Sequence, residues 1–169
     1  MATKWNLDPT HSEITFRVRH MMISNVKGEF TNFNVELEAE DDTFKNVKVK
    51  TTVQTDSINT NNTDRDTHLK SEDFFNATVN PVITFESDSL NNEVTGNLTI
   101  NGVTKPITLA VDFGGINVDP WGNTKAGFSF DGKISRKDFG LNWNTVLETG
   151  GVMVSDEVKI AGELQFVKA

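Results

Sequence analysis

The chain of 169 residues has no cysteine, no tyrosine, 4 prolines and no apolar run long enough to cross a membrane as a helix. Without cysteine there is no disulfide scaffold, no thiolate zinc site and no cysteine nucleophile. Positive charge is also scarce. Lys and Arg number 16 against 24 Asp and Glu, a net charge of −8. A binder of phosphate backbones needs a basic surface, so nucleic acid is excluded as an expected partner. The missing tyrosines leave 12 Phe and 3 Trp as the aromatic complement. Phe has no polar handle, so it suits the lining of a dry space. The start, Met1-Ala2-Thr3-Lys4-Trp5, shows no basic segment leading into an apolar core with a cleavage site, and the expected compartment is the cytoplasm.

What is present is a period of two, the period of a strand. Ile14, Phe16, Val18 and His20 alternate with Glu13, Thr15, Arg17 and Arg19. Val47 to Val53, Val94 to Ile100, Ile107 to Phe113, Phe128 to Ile134 and Val158 to Phe166 alternate in the same way. One run changes phase. Val26, Gly28 and Phe30 are even-numbered, whereas Phe33, Val35, Leu37 and Ala39 are odd, which predicts a β-bulge at Thr31-Asn32. Asn101-Gly102 between two alternating runs predicts a two-residue hairpin. About eight strands with short turns predict an all-β barrel or sandwich.

The interruption is Asn59 to Asn76. Thr63 with Asp66 three residues on predicts a capped helix start, and Ser71 to Phe75 a second turn. One or two short helices at about 60–76 would form a lid or a plug at one end of the barrel.

An outer-membrane barrel is apolar outside and polar inside. The lack of tyrosine for a girdle, the lack of an export signal and the Lys and Arg along the polar faces argue for the opposite arrangement. Phe16, Phe30, Phe33, Phe85, Phe113, Phe128, Phe130 and Phe166 then point inward, with Gly28, Gly96, Gly132 and Gly162 leaving space or permitting bends. An eight-stranded barrel can be filled by such side chains or can hold a ligand.

Polar chemistry is sparse. His11, His20 and His68 lie far apart, with no metal-ligand spacing, and no metal is expected. No G-x-S-x-G elbow accompanies the Asp8, His11 and Ser12 that a triad would need, and no catalytic residue is expected. Arg65 to Ser71 reads either as structural or as a polar rim on an apolar cavity, and Arg136 to Gly140 reads the same way, with Arg136 paired to Asp138 or to an acid of the helical segment.

Several blocks together resemble the YceI-like family of polyisoprenoid-binding, lipocalin-like proteins. They are Trp5-Asn6-Leu7-Asp8-Pro9-Thr10-His11-Ser12, Gly28-Glu29-Phe30-Thr31-Asn32-Phe33, Arg65-Asp66-Thr67-His68-Leu69-Lys70-Ser71-Glu72-Asp73-Phe74-Phe75, Gly102-Val103-Thr104-Lys105-Pro106 and Arg136-Lys137-Asp138-Phe139-Gly140. Asn76 departs from the family's usual Asp, and Val79 from an aromatic before the Pro81 region.

The resemblance implies an extended eight-stranded antiparallel lipocalin-like barrel, one lipid-binding domain over 1–169. It implies a tunnel holding a polyisoprenoid or other long-chain, fatty-acid-type lipid, with no cofactor besides that ligand and a homodimer as a possible assembly. The expected role is non-catalytic binding, storage or transport. The alternative is an accessory protein or enzyme of isoprenoid quinone or related lipid metabolism. Expected ligand contacts on the strands are Phe16, Val18, His20, Phe30, Phe33, Phe85, Phe128 and Phe130. Those in turns and the helical segment are Met22, Arg65, His68, Leu69, Phe74, Phe139 and Trp143. A buried methylene contributes about 0.8 kcal/mol against an association cost of roughly 4–15 kcal/mol, so a long chain is favoured over a short one.

Overall fold

The computed structural model describes residues 3–20, 23–41, 43–44, 46–88, 92–141 and 154–169. Its strands are β1 (Thr3–Leu7), β2 (Glu13–His20), β3 (Ser24–Phe30), β4 (Phe33–Ala39), β5 (Val47–Gln54), β6 (Ile58–Asn59), β7 (Val82–Ser87), β8 (Glu93–Ile100), β9 (Val103–Val118), β10 (Thr124–Ser135) and β11 (Val154–Lys168), with one helix, α1 (Thr63–Leu69). All pairings are antiparallel, and β1 closes the sheet against β11.

Three pairs of segments are single bent strands. The long β11 binds β2 through Ile160↔Phe16 and β1 through Lys168↔Trp5. β3 and β4 follow β2 and β1 in turn, and β5 and β6 follow β4 and β3. Counted this way the fold is an eight-stranded antiparallel meander closed into a barrel, which removes the unpaired edges of an open sheet.

The bends have local causes. At Thr31-Asn32 the strand breaks into β3 and β4, and burial passes from Gly28 and Phe30 to Val35, Leu37 and Ala39, so both phases face inward. The β1–β2 corner is built on Asp8. Its carboxylate accepts from the Thr10 hydroxyl at 2.8 Å, His11 Nδ1 at 2.9 Å and Lys125 Nζ at 3.3 Å. Ser12 donates to the Asp8 carbonyl at 2.7 Å and accepts from Gln165 N–H at 3.0 Å, which ties the corner to β11. The Asn101-Gly102 hairpin has φ of 55° and 75°, the doubly positive geometry that suits the right-handed twist of its strands.

The two ends of the barrel differ. The hairpin end carries the β4–β5 and β9–β10 turns and the chain termini. The helix end carries α1, the Asn101-Gly102 turn and the segment after β10. There Arg136, only 3% exposed, donates to the carbonyls of Ser155 at 2.8 Å, Leu141 at 2.8 Å and Val154 at 3.2 Å. The described partners are thus backbone oxygens, with Asp156 as the neighbouring acid, in place of the expected Asp138 or helix carboxylate. Helix α1 is capped by Asn62, which accepts from Arg65 N–H at 3.0 Å; Thr63, the expected cap, is its first residue. Asp66 instead accepts from the Thr60 N–H at 2.9 Å and hydroxyl at 2.6 Å. Residues 71–77 form hydrogen-bonded turns where a second helical turn was expected.

The hydrogen bond from Thr10, followed by those from His11 and Lys125, holds the Asp8 carboxyl well below the usual carboxylate range. A depressed folded-state pKa contributes stability that is full above the unfolded value, near ~3.9, and is lost as pH falls through the folded value. Asp8→Asn is expected to cost about 1–2 kcal/mol at neutral pH. Its denaturant midpoint should also decline less steeply than the wild type's below pH ~4.

Candidate functional site

The alternation that builds the strands aims one side chain in two at the barrel axis, and the result is an apolar cavity of about 170 Å³. Its rings are Phe30, Phe85, Phe128, Phe130 and Phe166, each near or below one-tenth exposed except the half-buried Phe130. Between them lie aliphatic side chains from β4, β5, β7, β8, β9, β10 and β11. Among the described residues, Thr51 and Thr84 supply the only side-chain oxygens of this wall, and no charged residue contributes to it. A wall of this kind offers dispersion and water exclusion, with no means of orienting a polar ligand.

The space at the inward glycines is not empty. Each is a seat for a neighbouring side chain. A Cβ on Gly28 would fall 2.3 Å from the Phe16 ring, on Gly96 2.8 Å from the Phe85 ring, on Gly132 2.6 Å from Leu109 and on Gly162 2.5 Å from the Phe130 ring. Rings lying flat over cross-strand glycines leave the centre of the barrel free. Gly162 is doubly constrained, because its Cβ would also stand 2.5 Å from the Glu13 carbonyl oxygen.

The expected site residues divide accordingly. Phe30, Phe85, Phe128 and Phe130 meet on the wall. Phe16 does not, because its ring fills the Gly28 seat and packs on Phe30 at 5.6 Å. Val18 and Phe33 are half-buried and outside the cavity wall, Val18 beside the register irregularity of β11 and Phe33 beside the Thr31-Asn32 bend. Phe113 stays on the inner face opposite Phe128 but is 43% exposed, since β9 runs on past the end of β8.

The helical segment also stands off the cavity. Arg65 donates to the Thr60 hydroxyl at 2.8 Å and carbonyl at 2.7 Å, bracing a buried threonine. His68 meets Asp73 at 2.8 Å and lies edge-on to Phe74, which is buried beneath it. Leu69 packs on the core from outside the cavity, and Phe139, 1% exposed, is fixed in the short 3₁₀ turn after β10. Met22, Trp143 and the side chain of His20 lie outside the described residues. Among the described residues no group of three His, Asp or Glu is placed to hold a metal ion.

Most of the wall is aliphatic and lies outside the expected set of contacts. Val35, Leu37, Val53, Leu98, Leu109 and Leu164 line it as fully as the rings do, and their in-phase positions carried that signal. Phe44 had no such signal. It sits in the β4–β5 turn with φ of 57°, yet it is 3% exposed and closes the hairpin end. Its ring lies 5.3 Å from Trp5, 5.3 Å from Phe113 and 5.2 Å from Phe128.

The glycine seats can be tested without a ligand. Gly162→Ala is expected to lower stability by about 1–3 kcal/mol, the usual range for overpacking. Gly127→Ala, whose Cβ meets nothing within 4 Å, should stay within about 0.5 kcal/mol of wild type by chemical denaturation.

A UPF0312 protein of Staphylococcus epidermidis is 42% identical over 166 residues, covering 97% of each chain. The crystal structure of a Campylobacter jejuni YCEI protein superposes with a TM-score of 0.75 at 33% identity, covering 89% of this chain and 90% of that one. A domain from Saccharophagus degradans described as polyisoprenoid binding has the same fold, with a TM-score of 0.75 at 14% identity over 98% of both chains. Residues 5–166 match the YceI-like domain, a span that takes in the Asp8 corner and every described wall residue of the cavity. The chain therefore belongs to the YceI-like family.

Proposed function

We propose that the protein binds a polyisoprenoid or other long-chain lipid inside the barrel, as a non-catalytic carrier or store, with residues 1–169 acting as one binding domain. The observation that carries this reading is the cavity inside the barrel, lined almost wholly by apolar side chains and flanked by rings seated on glycines. The description of the Saccharophagus degradans domain as polyisoprenoid binding supports it. Phe30, Phe85, Phe128 and Phe130 are the proposed ring contacts, and the aliphatic wall supplies the rest.

The volume bears on the mechanism. A dry cavity of about 150 Å³ takes up benzene, so about 170 Å³ accommodates one isoprene unit or slightly more at rest. A longer chain is admitted by turning the rings outward along the bore, and each methylene that leaves water then contributes about 0.8 kcal/mol. Affinity should follow tail length and shape, with little dependence on the head group.

Two measurements test this. Across prenols of increasing length, each added isoprene unit should tighten binding on the order of a hundredfold while it still enters the bore. Ile107→Phe, which fills the wall at one point, should weaken binding of geranylgeraniol at least about tenfold, and Ile107→Ala should not. Equal binding by both variants, or no binding by wild type, would sink the reading.

A further inference from the structure

The β9–β10 hairpin overhangs the end of the barrel that Phe44 closes. Strand β8 pairs with β9 only as far as Ala110, whereas β9 continues to Val118 and turns back at Thr124. The overhang carries an apolar rim: Phe113 is 43% exposed, Val118 59% and Trp121 84%. Val118 pairs with Thr124 in phase with Ile116 and Ala126, so it stands on the same face as the cavity wall and continues it outward. The greasy lining therefore runs from the bore, past the Phe128, Phe113 and Phe44 rings, onto the hairpin tip.

The tip is rigid and has its charge turned inward. The Asp119 carboxylate accepts from Trp121 N–H and Asn123 N–H, both at 2.9 Å, and from the Asn123 side chain at 3.2 Å; Lys125 Nζ stands 3.9 Å away. The Asp119 side chain is only 14% exposed. The exposed residues of the tip are Asn117, Val118, Pro120, Trp121, Gly122 and Asn123, none of them charged. A Trp held on a fixed turn loses little freedom on being covered, and an indole has its preferred place at the boundary of a bilayer.

We propose that this tip seats the protein on a zwitterionic bilayer and that the hairpin end is where lipid passes between membrane and cavity. The inference rests on the lipid-binding reading above. Charge decides among surfaces: a neutral tip on a chain of net charge −8 fits a zwitterionic surface and is repelled by an anionic one. The remaining barrier is the Phe44 ring, a bulky residue in left-handed backbone. The β4–β5 turn that carries it is closed by the Glu40 N–H to Asn46 carbonyl bond at 3.1 Å. The opposite end also exposes single apolar residues, Ile23 at 77% and Val79 at 70%. They sit on separate turns, Ile23 just before β3 and Val79 before β7, and neither continues the cavity wall.

The test uses sedimentable phosphatidylcholine vesicles at millimolar lipid, with and without brominated acyl chains. Wild type should co-sediment, and its tryptophan emission should be quenched by the brominated lipid. Trp121→Ser and Val118→Ser should each lower the bound fraction about tenfold, Val79→Ser should leave it unchanged, and replacing half the lipid by phosphatidylglycerol should weaken it. Each variant is also given farnesol without vesicles, where Trp121→Ser should bind as wild type does. No vesicle binding by wild type, equal binding by Trp121→Ser, or loss in Val79→Ser instead, overturns the proposal. So does a Trp121→Ser variant that only converts a dimer to a monomer, which would make a second copy the occupant. Loss of farnesol binding by every protein, wild type included, would instead strike the lipid-binding reading.

Discussion

An eight-stranded barrel has a bore about as wide as the side chains that point into it, and the rest of this structure follows from how that width is divided. With large side chains at every inward position the centre would close. Here Phe16, Phe85, Leu109 and Phe130 lie over Gly28, Gly96, Gly132 and Gly162, so these large groups are drawn against the wall. The space left is continuous and apolar. The same pairing makes the wall intolerant of added atoms at the seats, while the side chains over them keep freedom to turn. Stability and the capacity to admit a ligand thus share the same contacts.

Those contacts need a frame, and at the helix end its described ties are polar. Arg136 reaches three backbone carbonyls, Arg65 and Asp66 fix Thr60 from two sides, and Asn80 joins the Phe75 carbonyl to Asn101. The hairpin end is closed instead by stacked rings and one turn. Trp5, wholly buried there, has an indole N–H with no partner among the described residues and the Lys168 ammonium 5.8 Å from its ring centre. Polar networks hold one arrangement, whereas ring packing adapts. The two ends are therefore unequal in what they can let move.

Strands were legible in the sequence because alternation is local: residue 14 tells where residue 16 must point. The phase change at Thr31-Asn32 and the paired turn residues Asn101-Gly102 were legible for the same reason. The glycine seats were not, because the ring that fills Gly28 comes from the neighbouring strand and only register brings them together. Arg65 and His68 looked like a cavity rim because polar residues cluster there; their hydrogen bonds are spent on Thr60 and Asp73 within a dozen residues of themselves. Phe44 was hidden in a turn of acidic and polar neighbours, where an apolar residue has no periodic partners to mark it.

A strand that overhangs its neighbours has a consequence of its own. Beyond Val111, whose N–H still reaches the Asn92 carbonyl, β9 is paired on one side only among the described residues, and such a ribbon is ordinarily a template on which a second chain can crystallise into fibre. The register shift at Gly127/Phe128 and the φ of 107° at Gly115 twist that ribbon out of the flat ladder a copy would need. Two glycines in sequence, Gly114 and Gly115, thus give a bare arm the twist by which edge strands ordinarily avoid pairing with a copy of themselves.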